Sequence, residues 1–154
     1  MDIIKLSTPT AITGVIKEWC QTFAPDCPLI HVDVTPQGMP TFCHKNVKDY
    51  IFKNGGITTY GWIIWTLENQ WIEAEPHCIV RIGSTYIDPT PQVDGENTIL
   101  FLIDNQARHE QDKKRSKKLV ENETTARLLE LSVKQQRHVD AYNKRLRKLA
   151  DKER

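Results

Sequence analysis

QWIEAEPHCIVRIGSTYIDPT, residues 70–90, is the stretch on which the fold of this chain depends. It is rich in Ile, Val, Thr, Tyr and Trp and is broken by Gly83, which predicts two β-strands joined by a tight turn. His77 falls in the first strand and Asp88 in the second. A two-residue turn that includes Gly83 puts both side chains on the same face in either possible register, whereas a three-residue turn separates them. The hairpin therefore predicts a His–Asp pair.

The sequences around this hairpin predict an α+β body. Three further stretches have the composition of strands: LIHVDV (29–34), ITTYGWIIW (57–65) and NTILFLI (97–103). Apolar residues recur at helical spacing from Pro9 to Phe23, and a second helix starts near Thr41 and is ended by the Gly55-Gly56 pair. The order helix, strand, helix and then an antiparallel meander is typical of the α+β class.

The last third of the chain has a different composition. All seven glycines and all eight prolines lie before residue 97. Residues 1–106 carry 6 Lys and Arg against 12 Asp and Glu, whereas residues 107–154 carry 15 against 8. The absence of helix breakers predicts a long basic helix from roughly Asn105 onward. We therefore divide the chain into a body, residues 1–104, and a charged helical tail, residues 105–154.

The tail has a narrow apolar stripe that is typical of a coiled coil or of a helix lying along another surface. The stripe consists of Leu128, Leu131, Val139, Tyr142, Leu146 and Leu149. It predicts a protein partner or self-association through residues 119–150. Nucleic acid is an alternative partner for the basic tail, but its 8 acidic residues dilute the positive charge and disfavour this interpretation.

Several classes of protein are excluded by composition. No apolar run approaches the roughly 18–20 residues of a membrane span, and the start, MDIIKLSTPT, lacks the basic and apolar regions of a secretory signal. These features predict a cytoplasmic protein with no membrane partner. The four cysteines include no CxxC pair, so they are expected to be free thiols rather than ligands of a zinc ribbon.

Cys43 lies in TFCHKNVKDY, residues 41–50, at the front of the second predicted helix. A nucleophilic thiol needs its pKa, ordinarily about 8.5, lowered by a helix N-terminus and a nearby imidazole. The helix supplies the first condition and the predicted pair of His77 and Asp88 supplies the second. A buried structural cysteine and a metal ligand are the alternative roles for Cys43.

Four short motifs occur in order between roughly residues 37 and 91: CHKNV, the GW of YGWIIW, EAEPHCIV and IDPTP. They resemble those of papain-like and transglutaminase-like thiol enzymes, and most closely a group of small bacterial and phage papain-like proteins. The resemblance implies a papain-like body in which the cysteine at a helix N-terminus packs on an antiparallel sheet. It also implies Cys43 as the nucleophile, His77 as the general base and Asp88 as the residue that orients it.

Three supporting residues follow from the same resemblance. Gln37 matches the glutamine of the oxyanion hole, Asn46 matches the Asn of a CHxN motif, and Glu75 matches a carboxylate two residues before the histidine. The resemblance implies no cofactor. Pro76 and Cys78 depart from the aromatic and small apolar residues expected around the histidine, which leaves the substrate class open.

Two other roles compete for these residues. Cys43, His44, His77 and Cys78 together have the chemistry of a zinc site. However, neighbouring strand residues point to opposite faces and neighbouring helix residues are about 100° apart, so no metal site is predicted. Trp62 is a candidate substrate platform, although a tryptophan in a sheet more often packs in the core.

The sequence as a whole predicts a cysteine-dependent amide or ester hydrolase or acyl transferase of the peptidase, deamidase or transglutaminase type. Its substrate is expected to be a peptide, a protein or a small amide or ester. A non-catalytic binding module whose tail binds a partner is the second hypothesis, and a structural zinc protein is the third.

Overall fold

The computed structural model of this chain describes residues 6–67, 71–110, 117–120 and 144–152. In chain order, the elements are α1 (Gly14–Phe23), β1 (Leu29–Val34), α2 (Cys43–Asn54), β2 (Ile57–Leu67), β3 (Trp71–Ile82), β4 (Thr85–Asp88), β5 (Thr98–Ile103), a 3₁₀ helix (Asn105–Glu110), β6 (Lys117–Val120) and α3 (144–152). Helix α1 begins at Gly14 rather than near Pro9, because the hydroxyl of Thr13 caps it by accepting from the N–H of Ile16 at 3.3 Å.

Five of the described strands close into a barrel. The strand order around the barrel is β2, β5, β1, β4 and β3. The barrel is closed by the pairing of β3 with β2, which extends over the whole length of β2. Strand β1 is parallel to β4 and antiparallel to β5. Strand β6 extends the sheet outside the barrel by pairing with the first half of β3.

The predicted papain-like α+β body with an antiparallel meander is therefore wrong. Three non-local pairings of the barrel were not predicted, those of β1 with β4, of β5 with β2 and of β1 with β5. Gly61 makes the second pairing possible, since a Cβ at this position would stand 2.0 Å from the carbonyl oxygen of Leu102 and 2.6 Å from the Phe101 ring. The missing side chain lets β5 lie against the middle of β2 and close the barrel.

The apolar side chains form three clusters, which the alternation of strand residues separates. The barrel interior contains Val32, Ile63, Ile79, Ile99 and Phe101. Outside the barrel, one cluster packs beneath α1 and the 3₁₀ helix, and a smaller one packs beneath α2, around Val47, Cys78 and Val80. Odd-numbered residues of β3 thus face the interior, and even-numbered residues face the helices.

The predicted long basic helix is wrong over its first part. Residues Asn105–Glu110 form a single short 3₁₀ helix, in which Asp104 accepts from the N–H of Gln106 at 3.0 Å and Ala107 is buried in the core. Residues Lys117–Val120 form β6, because β4 covers only the far end of β3 and leaves its first half able to pair. Tertiary pairing here overrides helix propensity.

Two residues of the predicted apolar stripe, Leu146 and Leu149, lie on α3, where they are 47% and 58% exposed. The other four lie outside the described residues. Within the described part of the chain, no helix has both the length and the apolar character that crossing a membrane requires.

Candidate active site

The hairpin of β3 and β4 brings His77 and Asp88 together as the sequence predicted. Ile82 pairs with Thr85, so the turn consists of Gly83 and Ser84, and Gly83 adopts a φ of 62°. This register places the two side chains diagonally on the inner face of the barrel. The His77 Nε2 lies 2.9 Å from Oδ2 of Asp88, and both side chains are buried.

Asp88 is held rigidly at the end of β4. Its other carboxylate oxygen, Oδ1, accepts from the N–H of Thr90 at 3.0 Å, and its backbone carbonyl accepts from the N–H of Thr35 at 2.8 Å. The side chain has no exposed surface. A buried carboxylate that is fixed in this way orients the imidazole and leaves Nδ1 of His77 as the ring nitrogen that can serve the nucleophile.

Cys43 is the first residue of α2, at the same end of the barrel. The chain turns into the helix through Thr41, which adopts the left-handed region with a φ of 69°, an uncommon conformation for a β-branched residue. Phe42 occupies the cap position and provides no side-chain hydrogen bond to the helix N-terminus. The free N–H groups of the first turn therefore lie beside the Cys43 thiol, where they favour negative charge.

The pKa of Cys43 is lowered to about 3. The largest cause is a hydrogen bond from the Cys78 thiol; burial opposes it, and a hydrogen bond with His77 and the electrostatic interactions with His77 and His44 lower the pKa further. The pKa of Cys78 is raised by its hydrogen bond to Cys43, by burial and by the nearby negative charges. Cys43 is thus the thiolate of the pair, and Cys78 retains its proton.

His77 has the complementary shift. Burial lowers its pKa, but the charge of Asp88, the hydrogen bond to Asp88 and the interaction with Cys43 together raise it well above the ordinary value. The ring is also in edge contact with Phe101, with ring centroids 6.3 Å apart. These pKa shifts favour a thiolate on Cys43 and an imidazolium on His77, the charge state that an activated thiol nucleophile requires.

Asn46 joins the helix to the hairpin. It is buried one turn after Cys43, and its Nδ2 donates to the carbonyl of Met39 at 2.8 Å and to the hydroxyl of Thr90 at 3.2 Å. A Cβ on Gly38 would come within 2.0 Å of the Asn46 Oδ1. Asn46 therefore fixes the loop before α2, the helix and the end of β4 relative to one another.

The roles of the other two predicted supporting residues, Gln37 and Glu75, stay predictions. The N–H of Gln37 donates to the carbonyl of Pro89 at 2.8 Å, which ties its loop to the residue after Asp88. Glu75 precedes His77 on the same face of β3 and accepts from the indole Nε1 of Trp65 at 3.1 Å.

The prediction that Trp62 is a substrate platform is wrong. Its side chain is only 2% exposed, its Nε1 donates to Oδ2 of Asp104 at 3.0 Å, and its ring packs edge-on against Phe23. The residue faces the core cluster beneath α1 because it occupies an even-numbered position of β2. A ring with almost no accessible surface cannot stack on a substrate.

Of the four candidate zinc ligands, three come together. The donor atoms of Cys43, His44 and Cys78 all lie within 4.8 Å of one another, the one such group in the described part of the chain. His77 points to the opposite face of β3, as the strand alternation predicted. Structural zinc sites are closed by four protein ligands, so this group of three has the donors for an open site at most.

Sequence reasoning missed the position of Cys78 and His44 relative to Cys43. The Sγ of Cys78 lies 3.8 Å from Nδ1 of His44. The sequence does indicate that Cys78 lies on the outer face of β3, because it occupies an even-numbered position of that strand. This position becomes informative only once α2 is known to pack on that face.

No protein-family model, no curated protein and no solved structure matches this chain. The chemical interpretation of the site therefore rests on its residues and their geometry.

Proposed function

We propose that the protein is a cysteine-dependent hydrolase or acyl transferase that acts on an amide or ester carbonyl. The observation that carries this proposal is the arrangement of a Cys43 thiol with a strongly lowered pKa beside His77, whose Nε2 lies 2.9 Å from a buried Asp88 carboxylate. Peptides, proteins and small amides or esters all offer the required carbonyl group. The four cysteines are free thiols, which supports a reducing compartment such as the cytoplasm.

The proposed reaction begins with attack of the Cys43 thiolate on the carbonyl carbon. The oxyanion of the tetrahedral intermediate is stabilised by the Cys43 N–H at the start of α2 and by the side-chain amide of Gln37. His77 gives its proton to the leaving group, which leaves a thioester on Cys43. Water or an acceptor amine then attacks the thioester while His77 takes up a proton, and the thiolate is regenerated.

An activated ester tests this proposal without knowledge of the natural substrate. We expect p-nitrophenyl acetate to acetylate Cys43, detected by peptide mass spectrometry, and to be hydrolysed in repeated turnovers. Cys43→Ala should abolish both, and His77→Ala should slow turnover by about 10²–10⁴-fold because the general acid and base is lost. Cys27→Ala is the matched control, since this thiol is partly exposed and distant from the site in sequence.

The competing hypotheses predict other results. A non-catalytic binding module gives the same slow hydrolysis in the wild type and in Cys43→Ala, with acetyl groups scattered over several nucleophiles. A protein that needs bound zinc for its activity loses its turnover when a chelator is added, whereas the thiol mechanism is unaffected. Either result would contradict the proposal.

A further inference from the structure

A second thiol lies next to the proposed nucleophile. Cys43 starts α2, Cys78 lies on the face of β3 that α2 covers, and their Sγ atoms lie within 4.8 Å of one another. A disulfide requires an S–S distance of about 2.05 Å. The two sulfur atoms must therefore move closer together by less than about 3 Å. A change of side-chain rotamer moves a sulfur atom by about that distance, so the bond can form while the helix and the strand stay in place.

The two thiols differ in the properties that govern oxidation. Cys43 is only partly buried and is the thiolate of the pair, the form that reacts with peroxides. Cys78 has no exposed surface and keeps its proton. An oxidant from solvent therefore reaches and oxidises Cys43 first, and Cys78 is in position only for the second step.

His44 completes the arrangement. Its Nδ1 lies 3.8 Å from the Sγ of Cys78, and its side chain is exposed to solvent. A buried thiol must lose its proton before it can attack another sulfur atom. An imidazole in contact with that thiol on one side and with water on the other can accept the proton and pass it to solvent.

We propose that Cys43 and Cys78 are a reversible oxidation site for hydroperoxides, with Cys43 as the residue that is oxidised, Cys78 as the resolving thiol and His44 as its proton acceptor. This inference rests on the thiolate of the proposed function and adds a means of regulating it. The disulfide occupies the nucleophile and so switches the enzyme off, while it protects Cys43 from irreversible oxidation.

The oxidation takes place in two steps. The Cys43 thiolate attacks one oxygen of hydrogen peroxide, the O–O bond breaks, and the products are a sulfenic acid on Cys43 and hydroxide. Cys78 then gives its proton to His44, which passes it to solvent, and attacks the Cys43 sulfur, while the sulfenic hydroxyl takes up a proton from solvent and leaves as water. The Cys43 thiolate and the Cys78 thiol together lose two electrons, and one peroxide is reduced to one hydroxide and one water. A dithiol reductant restores both cysteines and is itself oxidised to a disulfide.

The test is to treat the full chain with hydrogen peroxide and map its cysteines by mass spectrometry under non-reducing conditions. We expect a Cys43–Cys78 disulfide, a loss of iodoacetamide reactivity at Cys43 of at least tenfold, and full recovery with dithiothreitol. Cys78→Ser should instead accumulate sulfinic and sulfonic acid at Cys43, which the dithiol does not reverse. Cys20→Ser, also a buried cysteine, is the matched control and should behave as the wild type.

His44→Gln tests the proton acceptor separately from folding, because this side chain is exposed. We expect the disulfide to form several-fold more slowly in this variant, with more sulfenic acid trapped on Cys43 by dimedone. If Cys78→Ser does not fold, the smaller Cys78→Ala variant and His44→Gln still give the answer.

Irreversible oxidation of Cys43 in the wild type at the same rate as in the Cys78 variants would overturn the proposal. So would a disulfide that joins Cys43 to another cysteine, or a rate of disulfide formation that His44→Gln does not change. A failure of the proposed function would be shown by a different experiment, in which p-nitrophenyl acetate forms no acetyl–Cys43 intermediate. A protein with no acyl intermediate but a reversible Cys43–Cys78 disulfide would be a redox protein rather than a hydrolase.

Discussion

Asp88 supports the charge state of the proposed nucleophile through His77. Its carboxylate is completely buried, contacts Nε2 of His77, and raises the pKa of that imidazole against the effect of burial. The imidazolium in turn helps to hold Cys43 as a thiolate. The effect thus passes from the carboxylate of Asp88 on β4 to the imidazole of His77 on β3, and from there to the thiol of Cys43 on α2.

Asp88→Asn should lower the activity of the site while the shape of the site is preserved. The amide keeps the size of the carboxylate but removes its charge, so the pKa of His77 should fall and the turnover of the activated ester should drop by about 10²–10⁴-fold. The ring signals of His77 in an NMR titration and the rate of ester hydrolysis measure these two effects.

Asp33→Asn is a suitable control for this variant, because Asp33 is exposed on β1. It should leave both readouts unchanged. Equal activity of Asp88→Asn and the wild type would show that the carboxylate does not support catalysis.

At the scale of single residues, the sequence predicted what strand alternation can determine. His77 and Asp88 share a face because a strand has a period of two and the turn contains two residues. The sequence indicates the period, but it left a three-residue turn open. The contact of Cys43 with Cys78 and His44 depends on how α2 packs on β3. That packing is a tertiary feature, and neither the helix nor the strand contains it alone.

At the scale of elements, Gly61 decides whether β2 can pair with β5. In Gly61→Ala the new methyl group would meet the backbone carbonyl oxygen of Leu102, which cannot rotate away as a side chain can. We expect the free energy of unfolding to fall by about 2–3 kcal/mol or more, as for overpacked cores. Urea denaturation followed by tryptophan fluorescence measures the change.

Gly14→Ala is the matched control for that substitution. Gly14 is the first residue of α1, and a Cβ there would have open space around it. This variant should be as stable as the wild type or more stable by about 0.4–1 kcal/mol, because alanine restricts the unfolded chain. If both variants unfolded at the same urea concentration, the close approach of β2 and β5 would not be important for stability.

The elements after residue 104 show where local propensity fails. The sequence there lacks glycine and proline, so helix is the reasonable local prediction. Lys117–Val120 instead pairs with Trp71–Ala74, more than forty residues earlier in the chain. Strand β6 forms because the first half of β3 has an edge with which it can pair. The composition of residues 117–120 contains no information about that edge.

At the scale of the whole molecule, the end of the chain returns to the candidate site. Lys144 and Lys148 on α3 place their Nζ atoms 4.3 Å and 5.2 Å from the centre of the Phe42 ring, and Phe42 immediately precedes Cys43. Each such cation–π contact is worth about 0.5–1 kcal/mol at a partly exposed position. The helix is therefore expected to restrict access to the rim of the site for large reagents more than for small ones.

Lys144→Gln with Lys148→Gln should relieve this restriction. We expect the rate at which a bulky maleimide labels Cys43 to rise by about 5- to 30-fold, which corresponds to the loss of two contacts worth about 1–2 kcal/mol together, while iodoacetamide labelling changes little. Arg145→Gln with Arg147→Gln removes the same charge from the exposed part of α3 and serves as the control. An equal effect of both double variants would indicate a general charge effect instead of a contact with Phe42.

The closed barrel itself was the largest feature that the sequence did not predict. Most strands were visible from their composition, and LIHVDV at 29–34 is β1 as expected. Their order in the sheet was not, since β1 inserts between β4 and β5 although it precedes both by more than fifty residues. Pairings of this range depend on the packing of the complete interior.

The pairing of a Cys43 thiolate with a His77 imidazolium can be tested by iodoacetamide labelling. The labelling rate of each cysteine is measured by mass spectrometry as a function of pH, in the wild type and in His77→Ala. An ordinary thiol with a pKa of about 8.5 is only about 1 part in 3,000 thiolate at pH 5, whereas Cys43 should be almost fully ionised. Its weaker basicity lowers its intrinsic reactivity by roughly 300-fold. The net advantage at pH 5 is then about tenfold.

We expect the labelling rate of Cys43 to be nearly constant between about pH 5 and pH 7, whereas an ordinary thiol labels about tenfold faster with each pH unit. Cys27, whose pKa is raised, provides that comparison within the same molecule. In His77→Ala the Cys43 rate should become pH-dependent, because the pKa of the thiol rises when the imidazolium is removed. A Cys43 rate that increases with pH in parallel with that of Cys27 in the wild type would contradict the thiolate–imidazolium pair.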